Sequence, residues 1–336
     1  MDLQITLLNK LWKRGTEFLG TEHAILCGAM SWVSEHNLVA AVSNAGGFGV
    51  IACGSLDPKQ LHEEIKKTKG KTSKPFGVNL ITMHPQIEEL IDVCLSEKIG
   101  HIILAGGLPK VSMIDRVKAS TAKVICFAPS LSIAQKLIKN GVDALIIEGA
   151  EAGGHIGPVS TSVLAQEILL HIKEVPVFVA GGIGRGESIL SYLRMGAAGC
   201  QLGTRFVCAH ESIAHPNFKQ AFIKANSRSA VVSVQIDPDF AVIPVRAIAN
   251  KATDEFTKAQ LDAIEKYRNN HISKLDAQLL IERFWAGALR KAVIDGDVEN
   301  GSLMAGQSVG LVSKEQSTEE IITELVDQAT ACLNVT

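Results

Sequence analysis

The sequence predicts an α/β fold, namely a closed (β/α)8 barrel of the TIM type with an inserted, mostly helical lid after its eighth strand. Eight short runs of branched apolar residues lie between residues 24 and 203. Amphipathic segments alternate with these runs, and the alternation stops after residue 206. Continuous apolar strands that alternate with helices are typical of a parallel sheet that is covered on both faces.

The strands and helices can be assigned in chain order. The eight candidate strands are AILCG, GFGVIAC, PFGVNLI, HIILAGG, KVICFAP, DALIIEG, VPVFVAGG and AAGCQLG. Helical patterns between them include LHEEIKKTK, PQIEELIDVCLSEK, SIAQKLIKNG and ESILSYLRMG, and a leading helix is predicted over MDLQITLLNKLWKRGTEF. An open doubly wound sheet is the alternative, but eight units favour the closed barrel.

The chain divides into three predicted segments. Residues 1–206 form the barrel, residues 207–310 form a lid that contacts substrate, and residues 311–336 supply the last barrel helix. The lid segment contains the helical patterns TKAQLDAIEKYRNN and AQLLIERFWAGALRKAVI and the extended stretch AVVSVQIDPDFAVIPVRAI. The final stretch, STEEIITELVDQATACL, opens with a Ser-Thr-Glu-Glu helix start.

Composition narrows the class of protein. The 336 residues include 33 basic and 35 acidic ones, so the net charge of -2 gives no reason to expect nucleic acid or an anionic membrane as a partner. No apolar run approaches the roughly 18 residues of a membrane span, and the N-terminus lacks a signal-peptide pattern. The seven cysteines are scattered without a CxxC pair, which favours reduced core thiols in a cytoplasmic protein and no metal site.

Glycine-rich signals follow the last two predicted strands, where barrels of this kind often hold a phosphate group. AGGIGRGES covers residues 180–188, and QLGTRF covers residues 201–206. In both, glycines let backbone N–H groups approach an anion, and a following helix start would add its dipole. Thr204 offers a hydroxyl group and Arg205 a positive charge. The pair of signals favours phosphate binding over simple turns.

Other strand ends are also unusual. Strand one leaves through GAMSW, residues 28–32, which are small apart from a methionine and a tryptophan. Asn79 is expected to end strand three, where a buried amide could bond a planar heterocycle. Residues 105–107, Ala-Gly-Gly, form either a tight turn or a flat wall.

The stretch EGAEAGGH, residues 148–155, leaves strand six on the same rim as the phosphate signals. Gly153 and Gly154 would let a flat ring approach the main chain, because glycine has no side chain. His155 would then project over that ring, which favours a catalytic role over a structural one. Glu151 is expected to bond backbone N–H groups and to shape the loop, whereas Glu148 is a candidate contact for the polar edge of a cofactor.

The motifs EGAEAGGHIG, AGGIGRG and QLGTRFVCAHES resemble those of the nitronate monooxygenase family, formerly called 2-nitropropane dioxygenases. They equally resemble the FMN-dependent type II enoyl-acyl-carrier-protein reductases, and the similarity extends from GAMSWVS to MAGQSVGLVSKEQSTEEII. The resemblance implies a TIM barrel with a lid, one non-covalent FMN and His155 as the active-site histidine. The candidate cofactor contacts are Ala29, Met30, Asn79, Glu148, Gly153, Gly154, Gly181, Gly182, Gln201, Leu202, Gly203 and Thr204.

Three functions stay open from the sequence. The leading one is oxidation of an alkyl nitronate with O₂, in which His155 removes the α-proton of a nitroalkane or bonds the nitronate. The second is reduction of an enoyl thioester with NAD(P)H as co-substrate, in which His155 stabilises or protonates the enolate. The third is a non-redox barrel that binds another phosphorylated ligand. The expected partner is a small-molecule substrate, with a homodimer as the open oligomeric alternative.

Overall fold

The computed structural model describes residues 2–237, 240 and 242–334. Its eight barrel strands are β1 (Ile25–Cys27), β2 (Phe48–Ala52), β3 (Phe76–Ile81), β4 (His101–Ala105), β5 (Lys123–Phe127), β6 (Ala144–Glu148), β8 (Val177–Ala180) and β9 (Gly199–Leu202), while β7 (Gly154–His155) belongs to a second sheet. The eight strands are parallel and close on themselves through the pairing of β9 with β1. The predicted (β/α)8 fold is therefore confirmed, including all eight strand positions.

Helices cover the outside of this barrel. They are α1 (Asp2–Leu19), α2 (His36–Asn44), α3 (Pro58–Lys69), α4 (Ile87–Ser96), α5 (Val111–Lys118), α6 (Leu131–Lys139), α7 (Thr161–Leu169), α8 (Gly186–Arg194) and the short α9 (Thr204–Val207). Local sequence explains their starts: at α3, for example, Asp57 and Gln60 form a capping box around Pro58.

Side chains alternate between the interior of the barrel and the layer under the helices. One apolar cluster, which we call the barrel interior, contains Leu26, Phe48, Val50, Ile103, Ile125, Ala144, Ile146, Phe178, Ala180 and Ala198. A second and larger cluster lies between the strands and the surrounding helices. This alternation decides which polar residues face into the barrel.

Aromatic side chains close the amino-terminal end of the barrel. His101, the first residue of β4, lies between the rings of Phe18 and Phe48, at centroid distances of 5.3 and 5.0 Å. Its Nε2 donates a hydrogen bond of 2.9 Å to the carbonyl oxygen of Phe18 at the end of α1. Burial lowers the pKa of His101, so this end of the barrel is closed around a neutral, satisfied side chain.

The chain after the barrel adds helices and a small sheet. The elements are α10 (Pro216–Lys224), β10 (Ala230–Val232), β11 (Val245–Ile248), α11 (Lys251–Arg268), α12 (Lys274–Val293), β12 (Leu303–Met304) and α13 (Thr318–Ala331). Strand β11 pairs antiparallel with β10, β12 and β7. Helices α11 and α12 enclose their own apolar cluster, which includes Phe240, Phe256 and Trp285.

The C-terminal helix α13 begins at the predicted place. Ser317 and Glu320 form a capping box at its start, and the helix packs against α8 and α1. No helix in the described part of the chain is long and apolar enough to cross a membrane. Residues 238, 239 and 241 of the predicted extended stretch, and residues 1, 335 and 336 of the predicted terminal segments, lie outside the described residues. The division at 206 and 310 stays a prediction.

Candidate active site

Three polar side chains face into the barrel near its carboxyl end. Glu148 follows Ile146 by two residues, so both point to the same side of β6. Asn79 of β3 lies in register with Ile103, and Gln201 of β9 lies in register with Ala180. Ile146, Ile103 and Ala180 all belong to the barrel interior. The three polar side chains therefore form the layer of that interior nearest the carboxyl end of the strands. We call Asn79, Glu148 and Gln201 the polar floor.

The polar floor has no hydrogen-bond partner or ion-pair partner among the described residues. Asn79 and Gln201 are each only 8% exposed. None of their polar atoms is both fully buried and unpartnered, so these side chains reach the open space at the mouth of the barrel, where a ligand could supply the partners. The prediction that Asn79 ends its strand is wrong, because β3 continues through Ile81. Its inward direction comes from the alternation of side chains along the strand.

Glu148 differs from its two amide neighbours because it can titrate. The Glu148 side chain reaches the opening of the barrel, where part of its surface is exposed. Protein atoms nevertheless surround the carboxyl group closely enough that desolvation raises the pKa of Glu148 to about 8. At neutral pH the group is therefore mostly a neutral acid, which can donate a hydrogen bond as well as accept one.

The loop after β8 turns through two consecutive glycines in the left-handed region. Gly181 has a φ of +97° and Gly182 a φ of +70°, conformations that side-chain-bearing residues rarely adopt. A Cβ atom on Gly182 would lie 2.9 Å from the Cβ atom of Glu151. The loop thus passes directly beside the loop that follows β6, and glycine is required for that approach.

The loop after β9 contributes a hydroxyl group. Thr204 Oγ1 accepts a hydrogen bond of 2.9 Å from the backbone N–H of Gly306, which leaves the hydroxyl proton available to a ligand. Gly203 has a φ of -114°, and a Cβ atom there would contact only Met30, at 3.4 Å from its sulfur atom. Gly203 therefore borders an open space next to Met30.

The expectation that Arg205 offers its charge to these loops is wrong, and the two helix starts offer less to an anion than expected. Arg205 does not face the glycine loops, since its Nη2 donates hydrogen bonds of 2.8 Å to Gln316 and to Glu324 of α13. The helix after β9 has only four residues, so its dipole is small. At the start of α8, the N–H of Gly186 already donates to Gln328 Oε1 at 2.8 Å. An anion at this rim therefore depends on loop N–H groups and on Thr204.

Glu151 shapes the loop after β6, as predicted. Its Oε2 accepts hydrogen bonds from the backbone N–H and the hydroxyl group of Thr161, at 2.8 and 2.9 Å. Its carbonyl oxygen accepts a hydrogen bond of 2.9 Å from Gln307 N–H. A Cβ atom on Gly153 would lie 2.5 Å from the nitrogen of Gly306. The Gly153–Gly154 segment and the segment around Gly306 are therefore packed backbone against backbone.

His155 lies on β7, and the small sheet holds its backbone. In the antiparallel pairing with β11, His155 is opposite Val245 and Gly154 is opposite Arg246. The Arg246 guanidinium group donates hydrogen bonds of 3.0 Å to the Ala150 carbonyl oxygen and 2.6 Å to that of Ala230. His155 itself is exposed. A segment far along the chain thus fixes the strand that presents this imidazole.

The predicted cofactor contacts Ala29 and Leu202 lie on different sides of the barrel wall. Ala29 packs against the barrel interior at the mouth and is partly exposed. Leu202 points the other way, into the core between strands and helices, and its carbonyl oxygen accepts the Gly28 N–H at 2.9 Å. The sequence reasoning did not assign a role to Gly306 or Arg246. Their positions depend on the pairing of β11 with β7 and β12, which no local motif indicates.

A second polar cluster lies away from the polar floor. Glu35 caps α2 by accepting hydrogen bonds from the N–H groups of Asn37 and Leu38. His36 Nδ1 lies 2.7 Å from a carboxylate oxygen of Glu35 and 2.7 Å from one of Glu64. Together these three side chains have the geometry of a possible metal site, but helix capping and the His36 contacts account for the arrangement.

The closed barrel, with glycine loops and unpaired polar groups at its carboxyl rim, defines a TIM-barrel enzyme. The chain belongs to the nitronate monooxygenase family, because the sequence profile described as Nitronate monooxygenase matches residues 13–93 and 86–328. FabK from Thermotoga maritima is similar, with a TM-score of 0.85 and 35% identity over 95% of this chain and 96% of that one.

Curated relatives agree with this assignment and are named as oxidoreductases. A (3aS,4S,5R,7aS)-5-hydroxy-7a-methyl-1-oxo-octahydro-1H-indene-4-carboxyl-CoA dehydrogenase from Mycobacterium tuberculosis is 29% identical over 340 residues, which cover 93% of this chain and 94% of that protein. A probable nitronate monooxygenase from Staphylococcus aureus is 26% identical over 365 residues, covering 95% and 98%. This chain is an oxidoreductase that acts on a small molecule.

Proposed function

We propose that the chain is an FMN-dependent oxidoreductase that reduces the carbon–carbon double bond beside the carbonyl group of an acyl thioester, with NAD(P)H as the source of hydride. The observation that carries the cofactor assignment is the unpaired polar floor of Asn79, Glu148 and Gln201. Two amides and one neutral carboxyl group match the alternating donors and acceptors at the edge of a flavin ring.

The loops at the same rim fit the phosphate end of FMN. Gly181 and Gly182 have backbone conformations that expose main-chain groups without a side chain, and Gly203 borders open space. Thr204 retains a hydroxyl proton that a phosphate oxygen can accept. Backbone N–H groups and a hydroxyl are a common set of phosphate ligands. On the facing loop, the main chain of Ala305 and Gly306 fills the Cβ side of Gly153, so the lack of a side chain there serves the packing of two segments and not the approach of a ring.

When bound, FMN supplies hydride transfer, and the protein supplies orientation and electrostatics. We assign the action on substrate to His155, and this is supported by its exposure at the rim and by the pairing of its backbone with β11. Its imidazole can donate a hydrogen bond to the thioester carbonyl oxygen as negative charge develops there, or deliver a proton to the α-carbon. The segment 207–310 would act as the lid that excludes water from this space.

The thioester class is supported by the relatives. The CoA dehydrogenase from Mycobacterium tuberculosis acts, by its name, on a carboxyl-CoA compound. FabK, whose 35% identity extends over 95% of this chain, is the most similar of the proteins compared above. Its likeness agrees with the resemblance of GAMSWVS and MAGQSVGLV to the enoyl reductases.

Oxidation of alkyl nitronates is the second candidate. The family profile and the probable nitronate monooxygenase from Staphylococcus aureus favour it. In this reaction His155 would remove the α-proton of a neutral nitroalkane or donate a hydrogen bond to an anionic nitronate. The polar floor and the glycine loops would hold FMN in the same way.

One experiment separates these candidates. The purified FMN-loaded protein is mixed without oxygen with NADH, NADPH and a nitronate in separate runs, and loss of flavin absorbance is followed. We expect fast bleaching by a nicotinamide, followed by return of the absorbance when an enoyl thioester is added. Fast bleaching by nitronate alone would replace the first candidate with the second. A colourless protein that cannot be reconstituted with FMN would remove both.

A further inference from the structure

The chemistry of Glu148 goes beyond contact with a cofactor. It is the single ionisable member of the polar floor, between two amides that cannot change charge. A carboxylate at this place would need a cation or N–H donors to offset its desolvation. No described residue forms a hydrogen bond or an ion pair with it.

The neighbours of Glu148 on the barrel interior are not charged. The adjacent strands β5 and β8 present Phe127 and Ala180 on that face. In the loop that follows β6, the titratable groups are Glu151, which is engaged by Thr161, and the exposed His155. Burial raises the pKa of Glu148, and no charge on the described residues adds to this effect or offsets it. The surroundings therefore favour the neutral form.

We propose that Glu148 works as a neutral carboxylic acid that donates its proton in a hydrogen bond to an acceptor atom on the edge of the bound flavin ring. This inference rests on the proposed function, because the ring belongs to FMN. A neutral donor lets the floor bind an uncharged ring edge without a buried anion against it. Ionisation of Glu148 replaces the donor with a desolvated acceptor, so FMN binding should depend on a single proton.

The test measures the dissociation constant of FMN from pH 6 to 9.5 by recovery of flavin fluorescence from the loaded protein. Three proteins are compared: the wild type, Glu148→Gln and the control Glu174→Gln. Glutamine keeps the size of the neutral acid and donates a hydrogen bond at every pH. Glu174 is exposed and precedes β8 at the opposite end of the barrel, so its replacement leaves the polar floor intact.

For the wild type and for Glu174→Gln, we expect the dissociation constant to rise about 30-fold between pH 7 and 9.5, as one-proton linkage requires for a group with a pKa of about 8. For Glu148→Gln we expect the dissociation constant to rise less than about threefold over the same pH range, apart from any rise that all three proteins share. Ionisation of FMN itself affects the three proteins equally. The quantity compared is therefore the ratio of each variant's dissociation constant to that of the wild type at each pH.

Two results would overturn the inference. Parallel pH profiles for the wild type and Glu148→Gln would show that the proton is not needed. A wild-type profile without the alkaline rise would do the same, even if the variant did not fold. Both results leave tight FMN binding at pH 7 and therefore leave the proposed function in place. Absence of FMN binding in all three proteins at pH 7 would instead remove the proposed function, and the inference with it.

Discussion

The two ends of the barrel handle buried polar groups in opposite ways. At the amino-terminal end, His101 is enclosed by Phe18 and Phe48, and its Nε2 donates to a carbonyl oxygen of α1. At the carboxyl end, Glu148 and the two amides of the polar floor have no partner among the described residues. Burial favours the neutral form in both places, since it lowers the pKa of His101 and raises that of Glu148.

The difference separates stability from function within one scaffold. A polar group such as His101, which is hydrogen-bonded and enclosed by aromatic rings, does not need a ligand, so its loss should weaken the fold alone. An unsatisfied group at an open rim costs free energy until a ligand arrives, so its loss should weaken binding or catalysis. Barrels of this class place their chemistry at the carboxyl end of the strands. Substitutions at four positions test whether the closed end serves stability and the open end serves binding and catalysis.

The largest effect is expected from His155→Ala at the open end. Removal of a positioned acid–base group costs about 10²–10⁴-fold in rate. Turnover of an enoyl thioester per bound flavin should fall by that factor, while flavin reduction by NAD(P)H, the melting temperature and the FMN content stay near wild type. His171→Ala, which removes another exposed histidine before β8, is the control. Near-wild-type turnover in His155→Ala would end the catalytic assignment.

His101→Ala should have the reverse pattern at the closed end. Truncation of a side chain packed between two rings leaves a cavity and an unpaired carbonyl oxygen, so the free energy of unfolding should fall by about 2–4 kcal/mol. Denaturant unfolding measures this loss. Turnover per bound flavin should not change at a temperature where the variant is folded. A fall in turnover without a fall in stability would mean that the closed end also serves function.

Gly203 allows a test of the phosphate position without backbone strain. Its φ is not left-handed, and a Cβ atom there would meet only Met30. Gly203→Asp places a negative charge at the rim, and Gly203→Asn places the same shape without charge. We expect the aspartate variant to bind FMN about 30-fold more weakly than the asparagine variant, equivalent to roughly 2 kcal/mol of repulsion. Equal affinities would place the phosphate elsewhere.

Gly182 is a less suitable position for the same test, although it lies in the other glycine-rich loop, after β8. Its φ is +70°, and a Cβ atom would lie 2.9 Å from that of Glu151. Any side chain at Gly182 would therefore strain the loop, whether or not it carried a charge. Loss of FMN from such a variant would not identify the phosphate site.

The smallest effect is expected on the stability of the FMN-free protein. Glu148 has a raised pKa in the folded state, so the folded protein keeps a proton that the unfolded chain loses above about pH 4.5. The associated stability is present at low pH and is lost as pH rises through about 8. At pH 8.5, FMN-free Glu148→Gln should be more stable than the wild type by about 1 kcal/mol, with no gain at pH 4. This is well below the roughly 5 kcal/mol of full linkage, because solvent at the barrel mouth screens the carboxylate.

Thermal unfolding at both pH values measures this effect. Glu63→Gln, at an exposed position on α3, is the control and should follow the wild type at each of them. A stabilisation that is equal at pH 4 and pH 8.5 would point to better packing of the amide and not to the removal of a titrating group. Glu148 would then no longer count as a neutral group at the open end, whereas the conclusion about His101 at the closed end would stand.

The sequence was sufficient for the elements that depend on neighbouring residues. Apolar runs marked all eight barrel strands, and Ser317 with Glu320 marked the start of α13. The role of Glu151 in shaping its loop was also predictable, because a carboxylate beside Gly-Gly commonly bonds nearby N–H groups. These features follow from local pattern, which the chain shows before it folds.

The features that were missed depend on contacts between distant residues. Arg205 looked available to an anion, but it pairs with Glu324, which lies 119 residues later. The polar floor is visible only when alternation along several strands is combined with the register between them. Likewise, β7 has two residues and no strand pattern of its own, and it exists because β11 pairs with it.

The two-residue strand β7 joins the segment proposed as the lid to the loop that carries His155. His155 is bonded across to Val245, and Arg246 is bonded to the loop before β7. A lid that swung away as a rigid flap would have to break this ladder and would take the support of His155 with it. Under the proposed function, opening of the lid would therefore also release His155. We expect that a thioester bound before closure would not be turned over.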